Sequence, residues 1–177
     1  MTAAVTQLRF RALATGLAGI AAFAGLCIVV RAAIGAPVIL YNGSPSEPIG
    51  FYRLSSAAPM KGALVAFPVP RAGQDYARSA LPYLTHTPIL KNIAAVYPET
   101  ACAIDGTLHL DGRTAGPIAM ADSRGHAMPR WRGCIRIGRS EVFVFSNRIP
   151  NSFDSRYYGP VPVSSILGVY KPLWILG

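Results

Sequence analysis

Asn42-Gly43-Ser44-Pro45-Ser46-Glu47-Pro48-Ile49-Gly50-Phe51-Tyr52 decides how the rest of this chain is read. Two serines stand two residues apart, each followed closely by proline. Proline lacks a backbone donor and fixes φ, so the stretch is neither helix interior nor central strand. It reads as a rigid, turning segment with small side chains presented outward. Such a segment suits a nucleophilic hydroxyl, and equally a plain Ser/Pro linker.

Upstream, the run from Ala12 to Val30 carries no charge, with Arg9 and Arg11 before it and Arg31 after. It is long enough to cross a bilayer core of about 30 Å as a helix. The arginines on the leading flank predict a cytoplasmic N-terminus. A secretory signal peptide, with Ala22-Phe23-Ala24 as its small-x-small site, is the alternative. Either reading exports the remainder. The expected organisation is a cytoplasmic tail over 1–11, an anchor and juxtamembrane segment over 12–36, and an exported β-rich domain over 37–177.

The 177 residues are 51% apolar, enough for one ordinary core. The net charge of +9 raises the question of nucleic acid. The arginines are scattered, however, and no basic helix or zinc-finger spacing occurs, so membrane proximity explains the balance and no nucleic acid is expected. Cys102 and Cys134 are the two cysteines of the exported part and read as a disulfide in an oxidising compartment, with two buried thiols as the alternative. No Cys/His spacing suits a metal.

Downstream, strand signals dominate. Ala63–Val69 is an apolar run bounded by glycine and proline, and Gln74–Leu84 is the one soluble helix expected, an insertion placed to cover a cleft. Asp105-Gly106 and Asp111-Gly112 are hairpin turns. Ala115–Arg132 reads as loop, Trp131–Ile137 and Glu141–Phe145 as strands, Val163–Val169 as a last strand, and Lys171–Leu176 as an apolar tail. Short strands and frequent turns predict a mainly antiparallel β domain, a folded sheet or partly open barrel.

Two further stretches stand out. In Pro88-Ile89-Leu90-Lys91-Asn92-Ile93-Ala94-Ala95-Val96 a lysine interrupts an apolar strand. Facing inward, its amine would be desolvated toward neutrality and become a general base; on an edge strand it would merely reach solvent. Ser146–Pro162 is dense in Asn, Ser and Asp, fit either for a turn-rich loop or for supporting a site.

Together these stretches resemble the type I signal peptidase clan of serine–lysine proteases, and within it the conjugative-transfer branch, the TraF-type pilin-processing peptidases. Asn42, Ser44, Ser46, Pro48, Gly50 and Tyr52 meet the first motif, and Leu90, Lys91, Ala94, Ala95 and Pro98 the second. Asn151, Ser152, Asp154, Ser155, Arg156, Tyr157 and Gly159 meet the third, and Trp131–Cys134 is also similar. Asn92 departs from the basic residue usual after the lysine, and Tyr97-Pro98-Glu99 from the usual turn; both departures are expected to act at the turn after the base. The resemblance implies the signal peptidase type of β fold behind one N-terminal transmembrane helix. It implies Ser46 as nucleophile, Lys91 as base, and Ser44 with the Ser46 N–H as oxyanion donors. Ser152 would orient the amine, and Asp154 and Arg156 would form a supporting ion pair. No metal or other cofactor is implied. The expected partners are a pilin-like precursor, the inner membrane and mating-pore proteins, with the catalytic domain in the periplasm. A triad using His86, His109 or His126 and a non-catalytic anchored scaffold are the competing readings.

Overall fold

The computed structural model describes residues 35–176, together with Gly19, which is helical. Apart from Gly19, the expected anchor over Ala12–Val30 lies outside the described residues. Among the described residues no helix is long and apolar enough to cross a membrane.

The unit that begins at Val38 is built from eleven short strands in the described residues. The first hairpin pairs β1 (Ile39–Asn42) with β2 (Gly50–Ser55), Ile39 opposite Arg53 and Asn42 opposite Gly50. The decisive serine-proline stretch is therefore the loop of this hairpin. β3 (Leu64–Phe67) and β4 (Ile89–Val96) pair with Val65 opposite Lys91. Between them lies the helical insertion: a 3₁₀ turn over Arg71–Gly73, α1 (Gln74–Ala80), and a second 3₁₀ turn over Pro82–Thr85. The helix stops at Ala80, short of the expected Leu84. Tyr76, Ala77 and Ala80 form its buried face, and Pro82, which cannot continue a helix, opens the second 3₁₀ turn.

β5 (Thr100–Ile104), β6 (Thr107–Leu110), β7 (Arg113–Pro117) and β8 (Gly133–Arg136) make a separate four-stranded sheet in the order β7-β6-β5-β8. Its two hairpin turns are the Asp-Gly pairs, with φ of 48° and 73° at Asp105-Gly106 and 48° and 77° at Asp111-Gly112. Positive φ at both central residues is what a tight hairpin requires, and Asp-Gly accepts it. Cys102 and Cys134, directly opposite each other on β5 and β8, are joined by a disulfide.

β9 (Glu141–Val144), α2 (Ser155–Tyr158), β10 (Val161–Pro162) and β11 (Gly168–Ile175) complete the chain. The larger sheet has seven strands in the order β1-β2-β11-β3-β4-β9-β10, all antiparallel. Three expectations are corrected here. The final strand is the stretch read as an apolar tail, and Val163–Ser165, expected to open it, is a 3₁₀ turn. Pro172 disguised the strand: it falls at a register shift against β2, where a missing donor is tolerated. β7 likewise occupies part of the expected loop over Ala115–Arg132. Gly50 is needed where β2 meets the end of β11, because a Cβ there would lie 2.2 Å from the Trp174 carbonyl.

The main core packs Val65, Phe67, Ile93, Val142 and Val144 of the large sheet against Tyr76 of α1, Phe153, and Tyr157 and Tyr158 of α2. A second cluster, Ala95, Ala101, Leu108, Ile137 and Phe143, ties the two sheets together. The disulfide spans 32 residues of the small sheet. Replacing both cysteines by alanine should therefore lower unfolding free energy by about 2–4 kcal/mol. The check is the urea midpoint of the double variant against oxidised wild type, and an unchanged midpoint would contradict it.

Candidate active site

Lys91 reaches the interior because of where its strand neighbours stop. β4 runs between β3 and β9, but β9 ends at Val144, opposite Ile93. Beside Lys91 the strand is covered by two loops instead, the β1–β2 loop and the segment from Ser146 to Asp154. The amine is 4% exposed. Its Nζ lies 2.7 Å from Ser46 Oγ and donates to the Leu90 carbonyl at 2.9 Å. Burial pushes the Lys91 amine down from 10.5 to about 8, against the pull of the Asp154 and Glu47 carboxylates and with a push from Arg156. About one amine in ten is then neutral at pH 7, against about one in three thousand for an ordinary lysine.

The β1–β2 loop is held in shape by Asn42. Its Nδ2 donates to the carbonyls of Ser44, Glu47 and Pro48 at 2.9, 3.1 and 3.0 Å, and its Oδ1 accepts from the Ser44 N–H. Tyr52 donates its hydroxyl to the Pro48 carbonyl. Ser44 Oγ and Ser46 Oγ share a hydrogen bond at 3.0 Å, and the Ser46 N–H donates to Ser44 Oγ at 3.4 Å. The two expected oxyanion donors thus lie together beside the hydroxyl, engaged with one another.

The second loop is organised around Arg156. Its guanidinium grips Asp154 through Nε and Nη2 at 2.8 and 2.9 Å, with both side chains at most 1% exposed. The remaining N–H groups reach the carbonyls of Pro117, Pro150, Ser152 and Ser146. Phe145 lies under the guanidinium carbon at 4.8 Å. Asp154 in turn caps α2 by accepting from the Arg156 N–H, and accepts from the Ser146 N–H. The pair is fully satisfied, as a buried ion pair must be. Ser146 donates its hydroxyl to the Ser46 carbonyl, joining this loop to the first.

Ser46, Lys91, Ser44 and Ser152 line one cleft of about 270 Å³, whose apolar wall includes Leu81, Leu84 and Leu90. The helical insertion therefore does border the cleft. A larger cavity of about 730 Å³ lies beside it, lined by Glu47, Asn92 and Ser146, but does not contain the serine or the amine. The smaller cleft is the one where chemistry at Ser46 can occur.

Most expected residues converge here. Ser152 is in the cleft wall, yet its Oγ is buried without a hydrogen-bond partner, and the second bond of the amine goes to Leu90 instead. Asp154, expected as half of a supporting ion pair, both builds the loop and bears on the amine through its charge. The histidines lie elsewhere: His126 pairs with Asp122 at 2.9 Å on an exposed turn whose third member is Tyr76, not a serine. Asn92, expected to act at the turn after the base, sits in mid-strand and donates to Glu47 Oε2 at 2.9 Å. Glu47, Asn92 and Ser146 tie these segments together, although none of the three is individually expected at the site. Their roles depend on contacts between segments far apart in sequence, and no local signal marks them.

A hydroxyl, a buried amine within hydrogen-bond reach, and a second hydroxyl with a backbone N–H beside them thus lie together on a folded antiparallel sheet. The family described as signal peptidase, peptidase S26, matches residues 12–174, and the chain belongs to that family. Its relatives include a plasmid transfer protein TraF of Escherichia coli, 31% identical over 85% of this chain and 90% of that protein. A conjugal transfer protein TraF of Agrobacterium fabrum (strain C58 / ATCC 33970) is 28% identical over 75% and 80% of the two chains. The crystal structure of a signal peptidase I from Enterococcus faecalis V583 covers 65% of this chain and 98% of its own, at 22% identity and a TM-score of 0.39.

Two outcomes follow from this geometry. Replacing Arg156 by Met strands the Asp154 carboxylate in the core and should cost about 3–5 kcal/mol of stability, read from urea unfolding. For Lys91, the folded chain releases its proton near pH 8 and the unfolded chain near 10.5. The unfolded state binds more protons within that window, so stability should rise with pH across it, by ~3 kcal/mol. The rise should be missing from Lys91→Met; equal pH profiles for the two proteins would refute the buried-amine account.

Proposed function

We propose that this chain is a membrane-anchored serine endopeptidase that processes an exported precursor, a conjugative pilin subunit, at the outer face of the inner membrane. The observation that carries this reading is the 2.7 Å contact between a buried lysine amine and the Ser46 hydroxyl. When the amine is neutral the contact runs the other way, with the hydroxyl donating to the nitrogen lone pair. Lys91 takes the Ser46 proton as Oγ attacks the scissile carbonyl carbon. The resulting oxyanion receives hydrogen bonds from the Ser46 N–H and the Ser44 hydroxyl, which must turn from each other toward it. The C–N bond breaks as the Lys91 ammonium returns the proton to the leaving nitrogen. The acyl-enzyme is then opened by water, with Lys91 again taking a proton, or by an amine of the substrate itself, which would close a ring.

The transfer-protein relatives support a substrate and partners in the mating apparatus. The outer edge of the large sheet supports a membrane location. Ile39, Tyr41, Phe51 and Trp174 are exposed on neighbouring strands, Trp174 by 69%, with Arg53 and Lys171 among them. Aromatic and basic side chains together suit a lipid headgroup region, and β1 follows directly on the segment expected to be the anchor.

The test is to incubate the purified protein with the candidate pilin and follow product mass. Ser46→Ala and Lys91→Ala should each reduce turnover at least about a thousandfold with the fold retained. The acid limb of kcat/KM should lie near pH 8. Equal cleavage by wild type and Ser46→Ala would end the proposal, and no cleavage by wild type would leave the anchored scaffold as the better reading.

A further inference from the structure

The Ser46–Lys91 contact is doubled by a second one. The residue after the serine, Glu47, accepts from the residue after the lysine, Asn92, at 2.9 Å, so two consecutive positions on each segment are joined pairwise. Glu47 is 2% exposed, and its other oxygen, Oε1, is buried without a hydrogen-bond partner. A carboxyl group so placed is costly unless its charge or its bond does something for its neighbours. We propose that Glu47 is a positioning residue for the Ser46–Lys91 pair, holding hydroxyl and amine together through Asn92 and placing a carboxylate beside the amine. The proposal rests on the dyad reading above but concerns a residue outside the dyad.

The groups acting on each member are few. The amine faces the Ser46 hydroxyl and the Leu90 carbonyl, and feels the charges of Asp154, Glu47 and Arg156. Asp154 is gripped on both oxygens by Arg156, whose charge opposes its pull on the amine. Glu47 has no such partner. It feels Lys91 and the exposed Arg148, and is bonded only by neutral Asn92. Burial raises the Glu47 carboxyl above its ordinary range, while Lys91 and the Asn92 bond pull it back. Asp154 pulls more strongly on the amine than Glu47 does, but Arg156 opposes it, whereas Glu47 favours the ammonium form of Lys91 with no ion-pair partner of its own. Removing Glu47 should free the amine at lower pH.

Two substitutions separate charge from clamp. Glu47→Gln keeps an acceptor for Asn92 and loses the charge, whereas Glu47→Met loses both. The chain has three lysines, Lys61, Lys91 and Lys171, so the full-length protein in detergent with ¹³Cε-labelled lysine gives three resonances. The Lys91 signal is the one lost in Lys91→Met. Its titration midpoint should fall by about half a pH unit or more in Glu47→Gln; a midpoint equal to wild type overturns the proposal, whether or not the protein cleaves any peptide. With the pilin as substrate, the acid limb of kcat/KM should move down with that midpoint. The plateau should stay within about threefold of wild type in Glu47→Gln and fall about tenfold or more in folded Glu47→Met. A Glu47→Met plateau equal to wild type removes the clamp. A shifted midpoint in a protein that cleaves nothing would instead count against the peptidase reading and leave the electrostatic part standing.

Discussion

The site depends on one balance: the cost of keeping the Lys91 ammonium away from water against the charges that favour it. Complete burial alone can lower a lysine by several pH units. Two carboxylates, Asp154 and Glu47, act in the opposite direction, and the amine settles at about 8. Burial outweighs the pair because neither carboxylate is bonded to the amine. Asp154 is committed to Arg156, and Glu47 to Asn92. Had either carboxylate taken the place of Ser46 Oγ, the ammonium would be favoured and the nitrogen lone pair unavailable. The chain has few acidic residues, and the geometry keeps the nearby ones one step removed.

That balance needs a cover over β4 that a regular sheet would not supply. A continued β9 would place another strand beside Lys91. The strand instead ends opposite Ile93, and the Asn42–Pro48 loop and the 146–154 segment fill the space. Loops usually bring unpaired backbone groups, which are costly when buried. Here the Asn42 amide satisfies three carbonyls of the first loop, and Arg156 satisfies four around the second. Two side chains thus do what ladder hydrogen bonds do elsewhere, while leaving the serine hydroxyl beside the amine.

Local chemistry was legible in the sequence and long-range chemistry was not. The Asp-Gly pairs specify their turns because their backbone conformation is a property of those residues. Lys91 could be singled out because an ammonium in an apolar strand conflicts with its surroundings, and Asn42, Ser44 and Ser46 because proline excludes regular structure. The C-terminal strand was hidden by Pro172, whose consequence depends on a register shift against β2 that the sequence does not encode locally. Glu47, Asn92 and Ser146 were opaque for a related reason. The bond from Glu47 to Asn92 joins residues 45 apart, and that from Ser146 to Ser46 residues 100 apart. Only the fold brings these side chains together.

The four-stranded sheet carries neither Ser46 nor Lys91, yet it and its flanks meet α2 at two points. The Pro117 carbonyl, at the end of β7, accepts from Arg156 at 2.8 Å, and the Trp131 indole, just before β8, donates to the Ser155 carbonyl at 2.9 Å. Both contacts fall on the first residues of α2, where Asp154 is the cap. A helix of four residues has almost no stability of its own, so its position must be imposed from outside. The Cys102–Cys134 bridge fastens β5 to β8, and β6 and β7 continue the same sheet. Pro117 therefore fixes Arg156 directly, and Trp131 fixes its neighbour Ser155. Because Arg156 holds the Ser152 and Ser146 carbonyls, it reaches the loop that covers the amine. The disulfide thus belongs to the sheet whose Pro117 and flanking Trp131 hold α2, and Arg156 of α2 in turn holds the loop beside Lys91.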